Sequence, residues 1–158
     1  MSSSQRLPLF SLAPDSYAAM GNFAQTATRN ALAAGVDKEV VHLVKIRVSQ
    51  VNACAFCVEM HTREARADGV SEQRIYQLDA WEHSGGYFTE GEQAALRLAE
   101  AITLLRPGAV SDEAYDGARK YFTEEHVAHL IFVATVMNSW NRLAVTARLV
   151  PRGAVRQS

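Results

Sequence analysis

Cysteine is nearly absent from this chain: 158 residues contain two, at positions 54 and 57. That count excludes a disulfide framework, and a bridge between neighbours so close would restrict the unfolded chain very little. Long apolar runs are missing as well. The longest candidate, HLIFVATVM, starts at His129 and stops before Asn138, well short of the ~20 apolar residues a membrane span needs. Charge of one sign is also lacking, since 17 acidic side chains nearly cancel 16 basic ones for a formal net charge of -1. Such a chain has no overall field to draw it to nucleic acid or anionic lipid, and neither is expected as a partner. The first ten residues, MSSSQRLPLF, carry one arginine and no apolar run of the length a signal peptide requires. A cytoplasmic location is therefore expected, where thiols are kept reduced and a lone close pair points to catalysis or metal binding.

What is present is an ordinary globular composition, 48% hydrophobic and 21% charged, enough for one domain over residues 1–158 with a real core. Apolar positions recur at three and four and alternation with period two never persists, so the expected fold class is all-α. Residues 1–14, with Pro8 and Pro14, read as an extended N-terminal arm. A first helix is expected from Asp15 or Ser16 through Tyr17, Met20, Phe23 and Ala27, stopping before Gly35. Asp37 suits the N-cap of a second helix, apolar on more than one face through Val40, Val41, Val44, Ile46, Val48 and Val51. A third helix over 55–67 should end at Asp68-Gly69, and Ser71 should cap a short fourth. DAWEHSGGYF, residues 79–88, reads as a loop. Thr89 and Glu92 have capping-box spacing, and the helix they open should run to Leu105, before Pro107-Gly108. A helix from Ser111 to about Tyr121 follows, and Thr123 should cap a long last helix that Pro151 ends. Trp81, Phe132, Met137 and Trp140 are expected in the core.

The stretch that carries chemistry is NACAFCVEMHTREAR, Asn52 to Arg66. A helix starting just after Cys54 would present unpaired N–H groups and the positive end of its dipole to the cysteines, and both favour thiolate over thiol. Cys57 and His61 are four apart and share a helical face. The imidazole is a group able to move protons near neutrality. A thiolate, a second thiol and a proton carrier are the parts needed to reduce a peroxide or a disulfide. Two alternatives stay open on the residues alone: two buried cysteines serving as small hydrophobes, and a zinc site of Cys54, Cys57 and His61 with His42 as fourth ligand. Neither a second Cys/His cluster nor a second E-x-x-H motif accompanies Glu39-Val-Val-His42, so a structural zinc or di-iron site is disfavoured and no cofactor is expected. His126 and His129 read as surface or core-edge residues, and Glu59 as solvated.

RVSQVNACAFCVEMHTREAR resembles the core motif of the carboxymuconolactone decarboxylase/alkylhydroperoxidase AhpD-like family, in the branch that keeps both cysteines. FTEGEQAALRLAEAITLL and FTEEHVAHLIFVATVMNSWNRLAV are similar to the second half of those proteins, so the likeness runs over roughly residues 15 to 150. The resemblance implies an all-helical fold, homo-oligomers built as trimers or hexamers, and thiol-dependent reduction of alkyl hydroperoxides. It implies Cys57 as the peroxidatic cysteine, Cys54 as the resolving one and His61 in the proton relay. It also implies a small organic hydroperoxide as substrate and an external thiol reductant, a lipoyl-bearing protein in studied members. A disulfide oxidoreductase, or a redox-sensing or zinc-binding protein, is the alternative on the same scaffold. The decarboxylase branch fits less well, because ring-opened lactone chemistry has no need of a cysteine pair.

Two positions depart from the family pattern. Twelve residues before the first cysteine, where relatives carry the relay glutamate, this chain has His42, and between the cysteines it has Phe56 where some members have histidine. His42 is the candidate fourth catalytic residue, with Glu39 one turn earlier placed to orient it. Asn52 is either a turn residue or a positioner of the thiols.

Overall fold

A computed structural model of the chain describes residues 6–105, 108 and 110–153. Among them every regular element is helical: α1 (Leu9–Leu12), α2 (Pro14–Ala33), α3 (Lys38–Val51), α4 (Ala55–Ala67), α5 (Glu72–Gln77), α6 (Glu90–Leu104), α7 (Asp112–Arg119) and α8 (Glu124–Ala147). A 3₁₀ segment, Leu78–His83, follows α5 directly. No helix among the described residues is long and apolar enough to cross a membrane.

Helix starts follow local chemistry. The side chains of Asp37, Ser71, Ser111 and Thr123 each accept a backbone N–H of the helix they open, which satisfies donors that have no partner within the helix. Thr89 and Glu92 complete a reciprocal capping box. The long helices meet on α3, which packs against α4, α6 and α8, while α2 lies along α8. Ala27 and Ala31 let α2 approach closely, and they join Val40, Val44, Val48, Ala99, Leu130 and Val133 in the larger core cluster. The opposite side of α3 sends Leu43 and Ile46 into a second cluster with Ile75, Leu78, Trp81 and Leu96. Burying a side chain such as Leu43 contributes about 1.5–3 kcal/mol, and α3, buried on both sides, is the fixed element from which the site is built.

Several expectations are corrected. Residues 9–12 form a helical turn rather than extended chain, and Pro14 opens α2 instead of preceding it. In the first turn a missing N–H costs no helical hydrogen bond, and the fixed proline φ suits the first position. Residues 78–83 are not open loop: Trp81 is buried in the second cluster and its indole Nε1 donates to Glu100 at 2.7 Å, which holds the segment in tight turns. The last helix stops at Ala147, ahead of Pro151. Arg148 adopts a left-handed conformation (φ 54°), and the Leu149 amide returns to the Ala144 carbonyl, carrying Leu149 back against the cysteines. Phe132 is 53% exposed, stacked edge-on against Phe23, whereas Trp81 and Met137 are core residues as expected. α6 ends at Leu104 with Leu105 as its left-handed C-cap, in line with the expected end at Leu105, while Pro107, residues 1–5 of the arm and 154–158 lie outside the described residues.

Candidate active site

Between α3 and α4 the chain turns through Asn52, Ala53 and Cys54. Ala53 takes a left-handed conformation (φ 52°), and the Cys54 amide bonds back to the Ser49 carbonyl at 2.9 Å. Cys54 is then the N-cap of α4, its sulfur accepting the Cys57 N–H at 3.4 Å. Cys57 stands in the first turn, where the helix dipole is positive. The two sulfurs are bonded as a disulfide. Both residues are buried, at 1% and 2% exposure, and they are not equivalent. Cys57 borders a cavity of about 810 Å³ between α2, α3, α4 and α8, and Cys54 is not part of its wall.

The same wall holds His61 and Glu64, one and two turns further along α4, and Lys45 from α3. Phe56, Met60, Met137 and Trp140 make most of the remainder apolar. The Nδ1 of His61 lies 2.8 Å from Glu64 Oε2, while its Nε2 is buried without a hydrogen-bond partner among the described residues. An anionic Glu64 can only accept, so Nδ1 carries the proton and Nε2 of the neutral ring is the open basic site. The His61 hydrogen bond holds the Glu64 carboxyl below its usual range, helped by the positive charge of Lys45 and opposed by partial burial. Burial pushes the Lys45 ammonium down, and Glu64 offsets part of that shift.

His42 lies in a different setting. It is buried, its Nε2 is 2.7 Å from Asp68 Oδ2, and Asp68 also takes the Lys38 ammonium at 2.6 Å. His42 is not among the residues lining the cavity. Glu39, expected to orient it, pairs instead with Arg74. The carboxylate that does serve an imidazole beside Cys57 is Glu64, in His-x-x-Glu spacing downstream of the cysteines. That spacing is legible in the sequence, on the opposite side of the cysteines from His42 and Glu39. Glu59 is not simply solvated, since one oxygen pairs with Arg63 and the other is buried without a partner among the described residues. His126 reaches the Ala34 carbonyl at 2.9 Å, away from the cysteines. No three His, Cys, Asp or Glu side chains among the described residues converge as metal ligands.

Behind the turn lies a buried amide network. Asn52 Nδ2 donates to the side-chain oxygens of Asn138 (2.9 Å) and Asn141 (3.0 Å) on α8. Asn141 Nδ2 reaches Ser49 Oγ at 3.2 Å, and Asn138 Nδ2 donates to Thr103 Oγ1 at 3.0 Å. Arg142 donates to both the backbone and side-chain oxygens of Asn138. The N-S-W-N-R run of α8 thus fixes the residue from which the cysteine turn departs, and Asn52 is both turn residue and anchor. Asn141 is wholly buried. Asn141→Leu removes an acceptor from Asn52 and a partner from Ser49, and should lower the unfolding free energy by about 1–3 kcal/mol. Urea denaturation measures this, and an unchanged midpoint would show the network to be dispensable.

All-helical packing around a Cys-x-x-Cys turn, with the second cysteine on an apolar cavity, defines a helical dithiol/disulfide protein. The chain belongs to the carboxymuconolactone decarboxylase family, whose profile matches residues 14–101. It is 39% identical over 142 residues to the uncharacterized protein YdfG of Bacillus subtilis, covering 90% of this chain and 93% of that one. It is 33% identical over 82 residues to the alkyl hydroperoxide reductase AhpD of Bradyrhizobium diazoefficiens, where the match spans 52% of this chain and 38% of the relative. Among solved structures, ATU0492 of Agrobacterium tumefaciens, a protein of unknown function suggested to be an AhpD antioxidant defence protein, superposes with a TM-score of 0.84 at 31% identity. That match covers 97% of this chain and 100% of the other. The debrominase Bmp8 shares the fold at a TM-score of 0.78 and 19% identity, covering 91% of this chain and 75% of that one.

Proposed function

We propose that the protein is a thiol-dependent peroxidase acting on organic hydroperoxides in antioxidant defence. The observation that supports this best is that the cavity wall brings Cys57, His61 and Glu64 together and leaves Cys54 outside. Cys57 is the cysteine a substrate in the cavity would meet, and Cys54 the one it would not. In the reduced protein, the Cys57 thiolate attacks the terminal peroxide oxygen, the O–O bond breaks, and the alkoxide leaves as alcohol with a proton delivered through His61. Cys57 is then a sulfenic acid. Cys54 displaces its oxygen as water to form the disulfide, and an external dithiol returns two electrons to reopen it. Glu64 keeps the His61 tautomer and ring orientation. In this reading His42, bonded to Asp68, supports the α3–α4 packing beside Glu64 rather than contacting substrate.

The apolar wall formed by Phe56, Met60, Met137 and Trp140 suits an organic peroxide better than hydrogen peroxide, because such a surface gains by burying hydrocarbon. The discriminating experiment is steady-state turnover with a dihydrolipoyl reductant, comparing cumene hydroperoxide with oxidised glutathione as electron acceptor. Cumene hydroperoxide should be preferred in kcat/KM by about 100-fold or more, near 3 kcal/mol of differential transition-state binding. Preference for the disulfide would make the protein a disulfide oxidoreductase instead.

A further inference from the structure

The charged groups of the cavity are unbalanced. Among the described residues its wall holds three cations, Lys45, Arg29 and Arg152, against one carboxylate, Glu64, in a chain whose formal net charge is -1. Positive charge is therefore gathered here and is not a property of the surface at large. Arg29 and Arg152 are exposed. Lys45 is not: it rises from the middle of α3 between buried Val44 and Ile46, and among the described residues it has no ion-pair partner. Glu64, the carboxylate nearest in effect, already holds His61. An ammonium taken partly out of water without a bound counter-charge carries a desolvation cost that Glu64 offsets only in part, and a ligand anion would reduce the remainder. Burial lowers the Lys45 pKa and Glu64 offsets only part of that shift, in keeping with incomplete compensation.

Position adds a dimension. α3 and α4 pack against each other on either side of the turn at 52–54, so Lys45, nine residues before Cys54, stands level with the part of α4 near Glu64, which is seven residues and so two helical turns, about 10 Å, beyond Cys57. Between the two ends the wall is largely hydrocarbon and aromatic. A ligand matching this surface is apolar in its middle, negative at the Lys45 end and reactive at the Cys57 end.

We infer that Lys45 is the anion-recognition residue of the cavity, aided by Arg29 and Arg152, and that the substrate is an apolar hydroperoxide bearing a carboxylate, of the fatty-acid hydroperoxide class. The inference rests on the peroxidase reading for its chemistry but not for its binding step. Binding is measured first on the oxidised protein, in which no turnover occurs, by titrating the emission of Trp140 with decanoate and with methyl decanoate. Decanoate should bind at least about ten-fold more tightly, as expected for a hydrogen-bonded charge pair in a poorly hydrated site. Lys45→Gln should bring the two within about two-fold of each other, and Lys45→Arg should keep the preference. Turnover then compares linoleic acid hydroperoxide with its methyl ester as a ratio within each variant, which cancels any change in the chemical step common to both. The ratio should fall toward one in Lys45→Gln. Equal binding of acid and ester by the wild type, or a preference unmoved by Lys45→Gln, overturns the inference. If the decanoate preference holds and depends on Lys45 while no hydroperoxide is consumed, the anion site stands and the peroxidase reading fails. If cumene hydroperoxide is consumed and the acid has no advantage, the reverse is true.

Discussion

Cys57→Ser should lower cumene hydroperoxide turnover by about a thousand-fold or more, whereas Cys54→Ser should react once and then stall. The asymmetry comes from the cavity, which reaches Cys57 and not Cys54, and from the place of Cys57 in the first turn of α4. Backbone N–H groups and the helix dipole there favour a thiolate. A serine hydroxyl at the same point is neutral at working pH and far less nucleophilic toward peroxide oxygen, so nothing replaces the attack. Cys54→Ser leaves the nucleophile in place and removes the thiol that closes the disulfide. One equivalent of peroxide per chain should be consumed, with Cys57 accumulating as sulfenic acid and trappable by dimedone. Mass spectrometry of the trapped peptide checks the assignment. Trapping on Cys54 in the Cys57→Ser variant would reverse the roles of the two cysteines.

His61→Ala should lower kcat/KM for the same peroxide by about 10²- to 10⁴-fold, the usual contribution of a positioned proton carrier. Glu64→Gln should cost less, on the order of ten-fold, since glutamine can still bond the ring but can do so with either tautomer. The two variants together should lose little more than His61→Ala alone, because Glu64 acts through His61. Independent effects would separate the carboxylate from the imidazole. The pair also has a signature in stability. Its folded carboxyl is held below the ordinary value, so the contribution is fully present above the unfolded value of about 4.3 and is lost as pH falls through the depressed folded one. The difference in urea midpoint between wild type and Glu64→Gln should therefore shrink with acidification below that range, and a difference that grows there would contradict the hydrogen bond.

Much of the fold could be read from local signals, and the reason is physical. Asp37, Ser71, Thr89, Ser111 and Thr123 mark helix starts because a cap is chemistry between a side chain and N–H groups two or three residues away. The bounds of α4 follow from Cys54 on one side and Asp68-Gly69 on the other in the same way. The errors fall where distant contacts decide. Residues 78–83 are held by Trp81 reaching Glu100, and α8 ends early because Leu149 folds back on the cysteines. In the site, the thiols and His61 were legible because one helix supplies all three. Glu64 stands three residues after His61, but an i,i+3 carboxylate on an exposed helix face has the same spacing as an ordinary solvated pair. Lys45 is one of several polar residues along α3, and only the cavity shows what it faces. The task of the N-S-W-N-R run is hidden in the sequence because Asn138 and Asn141 act on Asn52, 86 and 89 residues away.

The most direct measurement is a single-turnover stopped-flow reaction of the fully reduced protein with cumene hydroperoxide, counting free thiols and peroxide on the same samples. One peroxide should disappear for every two thiols lost, with the Cys54–Cys57 disulfide as product and no comparable reaction in Cys57→Ser. Equal peroxide consumption by wild type and Cys57→Ser would contradict Cys57 as the nucleophile.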